Sequence, residues 1–241
     1  MTTPGESLET LAVLADVLRR RMYAFIRAAH RPVTREEAAA DAGISRKLAA
    51  FHLDKLVEAG LLRARYDARS ARPRAGRRPK TYEPAGTEIR VSIPPRHHDV
   101  LADILLDAVL AETAGRDARH AAMEIARARG GELGAVGRTQ VRPGRLGPER
   151  ALTLAGQILE GCGFEPAREG PALLRLRNCP FHPLAAKAPD LVCGINHAYL
   201  TGLIDGLGAD TIEAVLAPAP DACCVELTAR DARTRHRPAS P

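Results

Sequence analysis

The sequence predicts an α+β chain of separate parts, and three observations carry that expectation. Helical apolar stripes and turn signals fill the first 90 residues and give way to two strand-like runs around a basic stretch. The charge is uneven: residues 1–90 hold 18 Lys+Arg against 11 Asp+Glu, whereas the remainder holds 17 against 18. Helical and strand-like segments alternate again after residue 149, in the part that carries the cysteines. A composition 45% hydrophobic and 27% charged excludes a wholly disordered chain. No run approaches eighteen apolar residues and no basic-then-apolar leader opens the chain, so a cytoplasmic protein without a membrane partner is expected. With no Trp and 3% aromatics, the cores must be built from Leu, Ala, Val and Ile.

Four regions follow: a basic module at 1–90, a helical segment and linker at 91–148, an α+β part at 149–229, and a solvated, disordered tail at 230–241. Leu8, Leu11, Leu14, Ala15 and Leu18 recur at helical spacing and predict one opening helix. Thr34 and Glu37 form a capping box that starts a short helix ending near Gly43. Ser45 caps a second helix from Arg46 to Ala59, closed by Gly60. Two short helices joined through a glycine turn make a helix-turn-helix. Residues 61–66 and 80–83 then read as two strands, and the arginine-rich stretch between them as a wing.

With Leu53 facing inward, Ala49, Leu56 and Val57 share its side of the second helix. Lys47, Leu48, Phe51 and Lys55 then point outward. An outward Phe and Leu suit a helix entering the major groove, where apolar groups touch thymine methyls; packing on the opening helix or on a second copy is the alternative. Ser45, Arg46 and Lys47 lie in the cap and first turn, where base edges are reached. Arg69, Arg72, Arg74, Arg77, Arg78 and Lys80 are placed to bind phosphates or enter a minor groove. Double-stranded DNA is the expected partner.

The residues Ile44-Ser45, Phe51-His52-Leu53-Asp54-Lys55-Leu56, Ala59-Gly60-Leu61-Leu62 and Gly76 to Tyr82 resemble winged-helix bacterial repressors of the broad ArsR type. The resemblance covers about 75 residues and implies a DNA-binding regulator. His52 matches a His-Leu pair common in such helices and is expected to be structural or a phosphate donor. Palindromic operators call for two-fold symmetry, so a homodimer is expected. Leu101, Ile104, Leu105, Ala108 and Val109 form a stripe available for that contact, on two helices at 97–113 and 117–129. The stretch 131–148 reads as a linker because glycine and proline punctuate it.

In the third region a helix at 149–161 leads to short strands near Phe164 and at 173–177, a helix at 189–207, and strands at 211–217 and 223–228. The cysteines are Cys162, Cys179, Cys193, Cys223 and Cys224, an odd number that argues for free thiols or metal ligands. Cys179 lies in a proline-broken turn, Cys193 near a helix start and Cys223 at a strand start, each able to present a thiol. Cys162 ends a helix and reads as a packing residue.

Residues 177–227 resemble the C-terminal region of iron–sulfur-responsive repressors of the SufR kind. There an Asn-Cys-Pro, a Val-Cys and a late Cys stand as Cys179, Cys193 and Cys223 do here. The resemblance implies a DNA-binding repressor controlled by a Cys-ligated cluster, [4Fe–4S] favoured. The family's further Cys, between the last two, has no counterpart here. His182, Cys224 or a small molecule remains as fourth ligand. His182 is preferred, because neighbouring strand residues point apart and a Cys179-Pro-Phe-His182 turn folds back. A zinc site of these three thiols with His182 and a metal-free small-ligand pocket are the alternatives. A thiol enzyme using Cys179 with His182 or His197 lacks a third, orienting group, so the chain is not expected to be an enzyme.

Overall fold

The computed structural model describes residues 4–66, 80–113, 117–141, 144–219 and 222–230, with side chains from Ser7 onward. The chain divides into two compact units, the first ending at Val91 and the second beginning at Ser92.

The first unit contains α1 (Pro4–Val13), α2 (Val17–Ala29), β1 (Val33–Thr34), α3 (Arg35–Ala42), α4 (Arg46–Glu58), β2 (Leu62–Tyr66) and β3 (Lys80–Pro84). The expected single opening helix is two. Asp16 accepts a bond from the Arg19 amide at 2.9 Å and starts α2 afresh, and the predicted stripe stays exposed at Leu8 and Leu11. Met22 and Ile26 of α2 enter the core instead, beside Leu53, Leu56, Leu62 and Tyr82. The capping box forms: the Thr34 amide donates to Glu37 at 2.8 Å and the Glu37 amide to Thr34 at 3.2 Å. Gly43 turns between α3 and α4 at φ 68°, a left-handed conformation that glycine adopts cheaply. The strands run in the order β1-β3-β2, with Leu62 opposite Pro84 and Tyr66 opposite Lys80.

The second unit contains α5 (His98–Leu110), α6 (Ala118–Thr139), α7 (Pro148–Gly161), β4 (Pro166–Arg168), β5 (Leu173–Leu176), α8 (Leu184–Lys187), α9 (Pro189–Leu207), β6 (Ile212–Leu216) and β7 (Val225–Ala229). Its sheet is antiparallel in the order β4-β5-β7-β6. Leu152 and Leu159 of α7 and Leu200, Leu203 and Leu207 of α9 pack with Leu174, Leu176, Val225 and Leu227 of the sheet. A second cluster joins Leu101, Ile104 and Ala108 of α5 to Ala121, Ala122 and Ala126 of α6 and to Phe181, Val192 and Ile195. The stripe expected to await a second subunit is therefore largely buried within this unit. Leu106, Val109 and Leu110 remain exposed on α5.

The stretch read as a linker is helical as far as Thr139. Its glycines are contact points. A Cβ on Gly130 or Gly134 would collide with the carbonyl oxygens of Tyr199 or Leu203, and one on Gly202 or Gly206 with those of Arg127 or Gly131. Backbone meets backbone between α6 and α9, and that packing overrides the helix penalty of roughly 1 kcal/mol per glycine. Arg127 pairs with Asp205 across the same two helices at 2.7 Å.

Candidate nucleic-acid interface and thiol cluster

Ser45 caps α4, its hydroxyl accepting from the Leu48 amide at 3.2 Å, and sets which face turns outward. Ala49, Leu53 and Leu56 are buried, while Arg46, Lys47, Leu48 and Phe51 are exposed, Leu48 at 41% and Phe51 at 55%. Arg46 stands 3.9 Å from Glu36, a loose exposed pair that leaves its guanidinium available. His52 is different. The residue is buried, at 5% exposure, and its Nδ1 lies 3.8 Å from the Asp16 carboxylate, so as folded the ring is turned away from the exposed face of α4. Lys80 donates to Asp54 at 2.8 Å, and that bond holds its ammonium above its ordinary pKa against desolvation.

Arg63 and Arg65 belong to no motif that the sequence advertises. They alternate with Leu62 and Ala64 on β2, are exposed, and share Glu83 at 2.8 Å each. Two guanidiniums on one carboxylate leave net positive charge on this strand. The wing arginines Arg69, Arg72, Arg74, Arg77 and Arg78 lie outside the described residues.

In the second unit the cysteines converge from three places. Cys179 follows β5 in a turn closed by the His182 amide on the Cys179 carbonyl at 3.1 Å. Cys193 lies in the second turn of α9. Cys223 and Cys224 precede β7, fixed by the Cys223 amide on Leu176 at 2.7 Å and the Ala217 amide on the Cys224 carbonyl at 2.9 Å. The thiols form a chain of contacts: Cys179 with Cys223, Cys223 with Cys224, and Cys224 with Cys193. Asn196, fully buried one turn after Cys193, donates its amide to Cys223 Sγ at 3.1 Å, while its own Oδ1 has no hydrogen-bond partner.

The chain of contacts divides the thiols into donors and acceptors. Cys223 holds Cys179 below the ordinary thiol pKa, with the Phe181 and His182 amides assisting. Hydrogen bonding from Cys223, and then from Cys193 and Asn196, lowers Cys224 to about 6. Cys193 is pushed up to about 12, by burial first and then by Cys224. Cys223 is raised by its bonds to Cys179 and Cys224, with burial adding. Cys162 stands apart with the Tyr199 hydroxyl, and burial raises its pKa.

Cys224, and not His182, joins the other three thiols. The strand begins only at Val225, so the alternation that would send Cys224 away from Cys223 does not yet govern the backbone. His182 is exposed, and its backbone carbonyl is what is engaged, by His98 at 2.9 Å. The His197 ring is held by the Ala214 carbonyl at 3.1 Å. Among the described residues no three His, Cys, Asp or Glu side chains are arranged as a metal ion requires.

The model of the helix-turn-helix domain family matches residues 14–65. The chain carries a helix-turn-helix domain. The match runs from the turn before α2 through α3, α4 and most of β2, and so includes the exposed face of α4. No curated protein and no solved structure matches the chain. Among the described residues no helix is long and apolar enough to cross a membrane.

Proposed function

We propose that this protein is a DNA-binding transcriptional repressor whose operator affinity is set by an iron–sulfur cluster on Cys179, Cys193, Cys223 and Cys224. The observation that carries this reading is four thiols from three elements linked in a chain, with Cys223 held by the buried Asn196, within a unit joined to a helix-turn-helix domain. Four soft thiolate donors fit the ligand demand of a [4Fe–4S] cluster, whose ligands are often far apart in sequence. When bound, such a cluster supplies a redox- and iron-sensitive state. The chain's own residues do the rest. Cys179 and Cys224 are the thiols most ready to ionise, and the Asn196 amide steadies Cys223 as the hydrogen-bonded shell of a metal site does. Zinc is the second metal reading, since the same four thiols form an all-cysteine tetrahedral set.

On DNA, α4 enters the major groove with Arg46 and Lys47 at base edges and with Leu48 and Phe51 against thymine methyls. Arg63, Arg65 and the wing arginines meet phosphates. Two copies read a palindromic site, and the exposed Leu106, Val109 and Leu110 of α5 supply apolar surface for pairing. The test is anaerobic reconstitution with iron and sulfide, followed by titration of duplexes selected from a randomised pool. A broad absorbance near 400 nm and a changed affinity are expected. Equal affinity with and without the cluster overturns the regulatory reading.

A further inference from the structure

The four neighbouring thiols are brought together by the protein's own bonds. The Cys223 amide donates to the Leu176 carbonyl at 2.7 Å, which lays the start of β7 beside the end of β5. Cys179 stands in the turn into which β5 runs, closed by the His182 amide at 3.1 Å. From the other side α9 reaches the same place. Asn196 donates to Cys223 Sγ at 3.1 Å, and Cys193 lies one turn before it on the same helix. The resulting row of contacts runs Cys179, Cys223, Cys224, Cys193.

The order of this row decides how it can pair. Its middle members, Cys223 and Cys224, are consecutive in the chain. Consecutive Cα atoms stand about 3.8 Å apart, short of the roughly 4.4–6.8 Å that a disulfide ordinarily spans. Pairing them would also leave Cys179 and Cys193 at opposite ends of the row. The outer pairings, Cys179 with Cys223 and Cys193 with Cys224, join separate elements and leave no thiol of the row over. Burial then divides the roles. Cys223 is 3% exposed, whereas Cys179, Cys193 and Cys224 are half-buried. Each outer pair thus sets a thiol that a small oxidant reaches beside a second thiol that answers it. Cys162 has the Tyr199 hydroxyl as its neighbour instead.

We propose that the row is a reversible redox site for hydroperoxides, which closes as two disulfides, Cys179–Cys223 and Cys193–Cys224. The site stands whether or not the same thiols hold a metal, and the two states exclude each other because both use all four sulfurs. At the first pair the ionised Cys179 sulfur attacks one oxygen of hydrogen peroxide. The S–O bond forms, the O–O bond breaks, and hydroxide leaves to take up a proton as water. The Cys223 sulfur then attacks the Cys179 sulfenic acid. The S–S bond forms, the S–O bond breaks, and the departing hydroxide takes the Cys223 proton. Two thiols are oxidised, one peroxide is reduced and two waters are released. The second pair repeats the sequence with a second peroxide, and a dithiol reductant reverses both by exchange.

The experiment uses the full chain, reduced and stripped of metal with a chelator, then treated with hydrogen peroxide. Free thiols are counted after denaturation, and peptides are mapped after cleavage at acidic residues, since Asp190 and Asp205 separate Cys179, Cys193 and the 223–224 pair. Wild type should lose four of its five thiols, one peroxide for each two, with Cys162 the survivor, and dithiothreitol should restore them. Cys193→Ser should lose two and link the Cys179 peptide to the 223–224 peptide. Cys179→Ser should lose two and link the Cys193 peptide to the same place. Wild type oxidised in denaturant should give scrambled pairs that include Cys162. A Cys223–Cys224 loop or a Cys179–Cys193 link as the main product of the folded chain would overturn the pairing, as would the scrambled pattern. Thiols that survive excess peroxide, or end as sulfinic acid, overturn the redox site. Iron loading is measured apart from this titration, so the metal reading and the redox site fail separately.

Discussion

The two units differ in how their helices meet. In the first, large side chains fill the space between elements: Met22, Ile26, Leu53, Leu56 and Tyr82 meet at the centre and are almost wholly buried. In the second, the α6–α9 contact depends on side chains being absent, with Gly130, Gly134, Gly202 and Gly206 letting one helix backbone lie on the other. The first kind of core loses stability when atoms are removed. The second loses it when atoms are added, and the barrier is steeper because backbone carbonyls cannot rotate away. The thiols sit on the unit built the second way, with Cys193 and Asn196 on α9 itself.

The largest effect should come from filling that contact. Gly202→Val places two methyl groups against the Arg127 backbone and should destabilise the second unit by at least about 3 kcal/mol. Calorimetry should show that transition lost or sharply lowered, with the first unit's transition in place. Gly131→Ala, which meets nothing closer than 3.8 Å, should leave the first unit unchanged and stabilise the second by up to about 1 kcal/mol. Equal behaviour of the two variants would break the distinction between the units.

Leu53→Ala is the complementary case. It empties the centre of the first unit and should cost about 2–5 kcal/mol there, seen as a lower first-unit midpoint in denaturant. Arg46→Ala comes next. It should weaken specific DNA binding by roughly 1–3 kcal/mol without moving either midpoint, because the side chain is exposed and only loosely paired.

What the residues reveal on their own follows the same division. The helix-turn-helix is legible because caps and turns are local: Thr34 with Glu37, Gly43 and Ser45 each act within a few residues. The face of α4 follows from helical geometry alone. The helix at 189–207 is legible for a similar reason, through its apolar content and its flanking proline and glycine. The stretch 131–139 is not, because a glycine row reads as a loop until a second glycine row some seventy residues later is placed against it. Asp16 is an available N-cap signal, masked because the leucine stripe runs across it. Of the site residues, Cys179, Cys193 and Cys223 are grouped through family likeness. A strand rule applied two residues too early puts Cys224 on the wrong side.

A smaller effect concerns acid. A hydrogen bond from Arg31, with further bonds from the Thr34 amide and hydroxyl, holds the Glu37 carboxyl at about 2, below its usual 4.5. A carboxyl lowered by folding stabilises the folded state fully above 4.5 and loses that contribution as pH falls toward 2. The first unit should lose stability over that window, and Glu37→Gln should flatten the loss. Thr34→Ala should cost about 1 kcal/mol at neutral pH.

The central claim is that four cysteines drawn from three separate elements make one metal centre. Iron analysis of anaerobically reconstituted Cys179→Ser, Cys193→Ser, Cys223→Ser, Cys224→Ser, Cys162→Ser and His182→Ala proteins tests it most directly. Iron and the absorbance near 400 nm should be lost or crippled in the first four, and retained in Cys162→Ser, whose thiol belongs to Tyr199, and in His182→Ala, whose side chain is exposed. Full iron loading in Cys193→Ser or Cys224→Ser, or loss of iron in His182→Ala alone, would contradict it.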